Sequence, residues 1–262
     1  MNQPREMNPT DQMTPLLDIC HALDPVSFAQ DRLVYHPDPI QSNLLASRPQ
    51  FVLLNCTRQW GKSTLTAAQA IFTAWHEPDS LILILSPSAR QSAELVRKAG
   101  RFLSRLGVRP HGDGDNEISL LLPNASRIVG LPNVEATSCG FSGVRMPFVD
   151  EASHVPDDLY FSMRPVLAVS GGDIWLISTP FGRRGFFYHA WIDGCPSWRR
   201  IKVPAPDCPR ILPANLARDR RVMGDRWFRQ EYLCEFAANE ETLFPEELIR
   251  KAIKYDIKPL FT

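Results

Sequence analysis

Short, mainly apolar runs recur along the chain at intervals that leave room for one helix between each pair. They are FVLLNC (51–56), LILILS (81–86), MPFVDEA (146–152) and DIWLIST (173–179). A strand with one wet face alternates apolar and polar residues, whereas a strand covered on both faces reads as a continuous apolar run. The segments between them have helical character. Lys62 to His76 reads as a helix. Ser88 is placed to cap another, in which Leu95, Ala99, Phe102, Leu103 and Leu106 form one apolar stripe. DDLYFSMRPVLA (157–168) reads as a third, with Asp157 and Asp158 favourable in its first turn. The alternation predicts an α/β fold, a mostly parallel sheet with helices on both faces.

The rest of the chain is less regular. Residues 1–14 are polar and are expected to be disordered. Residues 15–48 read as short helices and turns, 107–117 as a loop, and ISLLLP with SRIVGLP as a hairpin turning near Asn124. RRIKVPA reads as a strand, 213–236 as a helical stretch broken near Gly224, and 245–254 as an amphipathic helix.

Composition narrows the function classes. Lys+Arg and Asp+Glu both count 29, so the net charge is +0 and a uniformly basic coat is excluded. Nucleic-acid contact would have to come from local patches. No two of the six cysteines form a C-x-x-C pair, which argues against a zinc ribbon or a dithiol redox motif, and reduced thiols are expected. The N-terminus has no apolar signal core. No apolar run approaches the ~20 residues that span a bilayer. A cytoplasmic protein with no membrane partner is expected.

The chemistry concentrates where strands end. Cys56-Thr57-Arg58-Gln59-Trp60-Gly61-Lys62-Ser63-Thr64 follows the first strand and opens a helix. That context suits a phosphate-binding loop, in which backbone amides and the helix dipole cradle phosphates. Lys62 would reach the β- and γ-phosphates of ATP, and the Ser63 hydroxyl would ligate Mg²⁺. The pattern usually begins with glycine, and here that position is Cys56. The next strand of interest ends in Asp150-Glu151. Asp150 could hold Mg²⁺ and Glu151 could polarise the attacking water. Ser178 and Thr179, ahead of Pro180, either sense the γ-phosphate or only initiate a turn. Gln41, in HPDPIQ, either reads the adenine edge or is a surface glutamine.

Taken together, these segments resemble the N-terminal ATPase domain of the large terminase subunit of tailed bacteriophages. NCTRQWGKST, LILSPSARQSAEL, VDEASHVPDDLY, STPFGRRGFFYHAW and RWFRQEYLCEF carry the resemblance, which covers roughly 24–250. It implies a P-loop NTPase of the additional-strand, catalytic-glutamate class. It places Lys62 and Ser63 on phosphate and Mg²⁺, Asp150 on Mg²⁺, and Glu151 as catalytic base. It gives Arg58 a γ-phosphate contact and makes Ser178-Thr179-Pro180 the motif coupling hydrolysis to movement. Thr57, Gln59, Gly61 and Thr64 complete the nucleotide-binding loop. It divides the chain into a lead segment (1–45), an ATPase core (46–195) and a C-terminal helical subdomain leading towards an absent nuclease (196–262). The implied partners are double-stranded DNA, the portal ring of a procapsid, a small terminase subunit and further copies in a pentamer, all in the bacterial host cytoplasm.

Three departures stand against that pattern. Cys139 occupies a place where the family usually has arginine, a candidate finger for a neighbouring subunit's ATP, and Arg145 is the nearest substitute. Trp60 replaces a small residue and brings bulk beside the phosphates. The chain stops about where the family's nuclease begins, so DNA cleavage is not expected. Eleven Arg and Lys between 181 and 229 face only four Asp. They form either a DNA-facing patch or solvated, internally paired helix faces. Trp227, Phe228 and Tyr232 sit at helical spacing and read as core. The leading reading is a DNA-packaging ATPase. A nucleotide-binding but catalytically impaired prophage remnant, or half of a split terminase, is the alternative, and a helicase-like translocase is a third.

Overall fold

Seven strands form one sheet in a computed structural model that describes residues 9–132 and 140–237. They are β1 (Phe51–Cys56), β2 (Leu81–Ser86), β3 (Ser119–Leu121), β4 (Arg127–Pro132), β5 (Val144–Asp150), β6 (Ile174–Ser178) and β7 (Arg199–Val203). Their order across the sheet is β3-β4-β2-β5-β6-β1-β7. All pairings are parallel except the β3–β4 hairpin. The fold is therefore α/β and P-loop-like. β6 is inserted between β1, which carries the loop, and β5, which carries the acids. That insertion is the extra strand of the additional-strand class.

The continuous apolar runs are explained by two separate cores. Val52, Leu54, Ile82, Ile84, Phe148 and Trp175 point to one face of the sheet. Leu53, Leu83, Leu85, Val149, Ile174 and Leu176 point to the other. Successive residues of a strand face opposite ways, so a strand buried twice has no polar phase. Helices α4 (Lys62–His76) and α5 (Ala89–Arg105) cover the first face, with Leu65, Ile71, Leu95 and Phe102 in its core. α6 (Asp157–Ser170) and α7 (Gly185–Ile192) cover the second through Leu159, Tyr160, Leu167, Phe186 and Phe187. The Ser88 hydroxyl accepts from Gln91 N, as the capping pattern predicts.

Three helices precede the sheet: α1 (Pro9–Leu23), α2 (Pro25–Asp31) and α3 (Pro39–Ser47). Helix therefore reaches back to Pro9, into the stretch expected to be disordered; proline is tolerated in a first turn, where its missing N–H costs nothing. Residues 1–8, Cys139 and the expected helix at 245–254 lie outside the described residues. The sheet also runs past the division at 195, because β7 pairs with β1 as an edge strand. Beyond it lie α8 (Pro213–Met223) and α9 (Asp225–Glu231), separated at Gly224, whose φ of 77° breaks the helix. Among the described residues five cysteines are free, and no helix is long and apolar enough to cross a membrane.

Candidate active site

β1, β5 and β6 end on the same side of the sheet, because their registers align Asn55 with Ser178 and Asp150 with Ile177. Crevices at the carboxyl ends of parallel strands are where open α/β sheets bind ligands. The chain leaves β1 at Cys56, crosses Thr57 to Gly61, and enters α4 at Lys62. Gly61 is at φ 96°, a left-handed conformation that makes glycine the fitting residue. α4 has no side-chain cap. The first amides of a helix lack intrahelical acceptors, so its N-terminus is available to an anion.

The loop is braced from several directions. Thr57 N donates to Val203 O (2.9 Å) and its hydroxyl donates to Glu231 O (3.0 Å). Asn55 Nδ2 donates to Cys234 O (3.0 Å). Trp60 is fully buried in the first core, so its bulk is packed into the interior. This weighs against bulk beside the phosphates altering nucleotide entry. The Trp60 carbonyl accepts from Gln41 Nε2 (3.1 Å) and from the Arg210 guanidinium.

Gln41 is fully buried and is no surface residue. Its Oε1 accepts from the Tyr35 hydroxyl (2.7 Å) and from Asp38 N (3.0 Å), while Asp38 accepts from Gln41 N. The Asp-x-x-Gln spacing with proline at the first helical position is a capping box. Gln41 thus ties the start of α3 to the loop.

Opposite the loop, Asp150 closes β5. It is buried, its Oδ1 has no hydrogen-bond partner, and burial pushes its carboxyl up to about 6 despite the nearby Lys62. Glu151 follows in the left-handed region (φ 50°), a sharp turn for a non-glycine residue. The Lys62 ammonium lies 2.6 Å from Glu151 Oε1, with both side chains largely shielded from solvent. Burial raises the Glu151 carboxyl, but Lys62, with smaller help from Arg58 and His154, holds the group below its usual value. Ser178 Oγ accepts from Ser153 N (3.2 Å) and lies 3.5 Å from Glu151 Oε2. The Thr179 hydroxyl is buried without a partner. Ser63 and Thr64 occupy the first turn of α4, and Thr64 N donates to Gly61 O (3.0 Å). The loop, Lys62, Asp150, Glu151 and Ser178 are therefore brought together.

Arg58 turns elsewhere. Its Nε donates to Glu231 Oε2 on α9 at 2.6 Å, and the guanidinium is mostly exposed. Arg145 opens β5 at the end opposite Asp150, where it pairs with Glu77 and with Asp173 (2.8 Å). Two internal carboxylates occupy it, which weighs against its reading as a stand-in for the arginine finger. The basic stretch is also largely engaged within the molecule. Arg200 donates to three backbone carbonyls, and Arg218, Arg220 and Arg229 pair with Asp219, Asp225 and Glu235. Phe228 is buried and stacks on Tyr232, but Trp227 is 52% exposed. Consecutive residues of a short helix point about 100° apart, so only one of the pair can face the core. Trp227 instead lines a cleft of about 570 Å³ between the loop and α8–α9, together with Arg58, Gln59, Arg210, Ile211 and Tyr232.

Sequence reasoning missed Glu231, Cys234 and Arg210, which reach the loop from far along the chain. It also missed the structural role of Gln41, for which the Asp38-x-x-Gln41 spacing was the available signal.

The chain is 25% identical over 203 residues to the terminase large subunit of Escherichia phage T5, covering 75% of this chain and 46% of that protein. It thus spans about half the length of that relative. The large terminase ATPase domain of Thermus phage P74-26 superposes with a TM-score of 0.73 at 22% identity, over 82% of this chain and 99% of that domain. The large terminase of the thermophilic bacteriophage D6E, solved with ADP, superposes at 0.61 and 13% identity, over 82% of this chain and 53% of that one. These structural likenesses show the fold. The profile of the family described as terminase large subunit, T4likevirus-type, N-terminal, matches residues 53–251, which holds the phosphate loop, the paired acids and the inserted strand, and the chain therefore belongs to the terminase large subunit family.

Proposed function

We propose that this chain is the ATP-hydrolysing motor part of a DNA-packaging terminase. The observation that carries the reading is the buried Lys62–Glu151 pair (2.6 Å) beside Asp150, whose Oδ1 is unpartnered. A lysine for phosphate, a carboxylate for water and a carboxylate for a cation stand within one crevice. The large terminase of phage D6E binds ADP in its solved structure, which supports a nucleotide for the same fold here.

The residues present fit Mg²⁺. A buried carboxylate with an orphan oxygen, and a serine in the first turn of α4, suit a hard cation that keeps most of its waters and takes the rest of its ligands from phosphate. Asp150 and Ser63 would hold it, and it would supply charge neutralisation between phosphate oxygens. The amides between the engaged Thr57 and Thr64 cradle the phosphates. Lys62 leaves Glu151 for the arriving phosphate charge. Glu151, relieved of its counter-ion, orients water for in-line attack on the γ-phosphate. Ser178 links Glu151 to the turn at Ser153 and passes the change in charge to the 178–185 segment. Arg58 answers the γ-phosphate by leaving Glu231. The work is movement of double-stranded DNA into a procapsid, by a pentamer of copies on the portal ring supplied with DNA by a small subunit, in the host cytoplasm. The intact charges of the site weigh against a silent remnant.

The test is steady-state ATP turnover with double-stranded DNA, over a range of protein concentrations, beside Lys62→Ala. Turnover that rises faster than linearly with protein and vanishes in the variant supports the motor. Turnover that survives Lys62→Ala sinks the assignment of the site.

A further inference from the structure

Resting on that reading of the site, we propose that Arg210 is a further nucleotide-contacting residue, delivering a guanidinium to the polyphosphate from the cleft side of the loop. Arg210 lies outside the loop and outside every segment that points to the site by sequence pattern. Its Nη1 nevertheless donates to the Trp60 carbonyl. A Cβ added at Gly61 would meet that same nitrogen at 2.8 Å, so the guanidinium stands over the glycine that opens α4.

This is an unfavourable place for a cation on its own. The N-terminus of a helix carries partial positive charge, and Lys62 follows at once. Lys62 has Glu151 and Arg58 has Glu231, whereas Arg210 has no carboxylate within salt-bridge distance among the described residues. An anion on the loop removes the conflict, and a guanidinium fork matches phosphate oxygens two at a time.

The backbone that presents Arg210 is held firmly. Ala205 and Cys208 are buried, Ala205 N donates to Tyr232 O (2.6 Å), and Ile211 N donates to Cys208 O (3.1 Å). The side chain itself remains solvent-accessible and borders the cleft with Arg58 and Gln59. A rigid base with an accessible charged tip is what ligand contact requires.

The experiment titrates the full chain with a fluorescent ATP analogue at several salt concentrations, for wild type, Arg210→Gln, Arg210→Ala and Lys62→Ala. Arg210→Gln keeps a donor for the Trp60 carbonyl and removes the charge. The expected result is an affinity about 10-fold or more weaker in both Arg210 variants, with a flatter dependence on salt. Wild-type affinity in Arg210→Gln overturns the proposal. So does a loss of affinity in Arg210→Ala that leaves the salt dependence unchanged and lowers the melting temperature, which is the signature of a structural brace. Equal binding by wild type and Lys62→Ala defeats the reading of the whole site, a different failure from that of Arg210 alone.

Discussion

Lys62 and Glu151 are each other's counter-ion: 2.6 Å separates the ammonium from the carboxylate, across the gap between the loop and the end of β5. The residue suited to grip phosphate and the residue suited to orient water neutralise one another until a stronger anion competes. If Glu151 is the base as proposed, Glu151→Gln removes it and frees Lys62. Turnover is expected to fall by about 10²–10⁴, the usual worth of a general base, while ATP binds as well as or better than in wild type. Single-turnover hydrolysis and a binding titration read the two effects separately. Loss of binding with retained chemistry would contradict both assignments.

Asp150 makes a pH prediction. Its carboxyl sits at about 6 in the fold, above the ordinary 3.8, because burial disfavours the charged form. The folded state therefore holds this proton more tightly than the unfolded chain. The group lowers stability progressively as pH rises from about 4 to about 6, and the cost persists above that. Asp150→Asn is expected to raise the stability of the nucleotide-free protein at pH 8 by up to about 3 kcal/mol, with the gain vanishing near pH 4. Denaturant melts at the two pH values check it. A gain that is the same at both values would show that the charge of Asp150 is not its source.

Trp60 tests where the bulk lies. With the ring buried in the first core, Trp60→Ala opens a cavity and is expected to cost about 3–5 kcal/mol. ATP affinity should fall with it, since the support of the loop is lost. Tighter binding at unchanged stability would mean that the ring obstructs the phosphates after all.

Arg145 is expected to behave as a structural residue. Removing it leaves Glu77 and Asp173 facing each other without their cation, at about 1–2 kcal/mol given partial exposure. In Arg145→Ala the melting temperature should drop while turnover per folded molecule stays within about twofold. Abolished turnover at unchanged stability would instead assign it to a neighbour's nucleotide.

Glu231 sets the resting position of Arg58. The pair is largely exposed on the arginine side, so Glu231→Gln should change stability by less than about 1 kcal/mol. Freed from its carboxylate, Arg58 becomes available to phosphate, and ATP affinity should rise. Unchanged affinity, measured by calorimetry, would remove Arg58 from the set of phosphate contacts.

The central strands were legible because burial on both faces leaves no polar phase, and their limits follow the apolar runs at 51–56 and 81–86. The loop and the paired acids were legible because their neighbours in sequence are also their neighbours in space. Other features were beyond local reading. Whether Trp60 points up or down depends on a core assembled from α2, α3 and β7. Arg145 could be understood only once β5 lay beside β6, with Asp173 at its foot. The basic run from 181 to 229 read equally as a DNA-facing patch or as internally paired faces, and the carboxylates and carbonyls that engage many of its members become apparent only in three dimensions. Gln41 is the instructive middle case, since a capping spacing was present in the sequence and pointed to a side chain tied back to Asp38, though not to its burial.

The wall behind the phosphate loop is supplied by Val203, Glu231 and Cys234, so Thr57 and Asn55 bond to partners 174 and 179 positions away. A ribosome emits this chain from the N-terminus, and the phosphate-binding motif emerges long before its support has been made. For most of synthesis the chain carries a recognisable motif and no site. Contacts of such long range close slowly and late. The loop therefore reaches its braced shape only once the segment through Cys234 has been synthesised and docked.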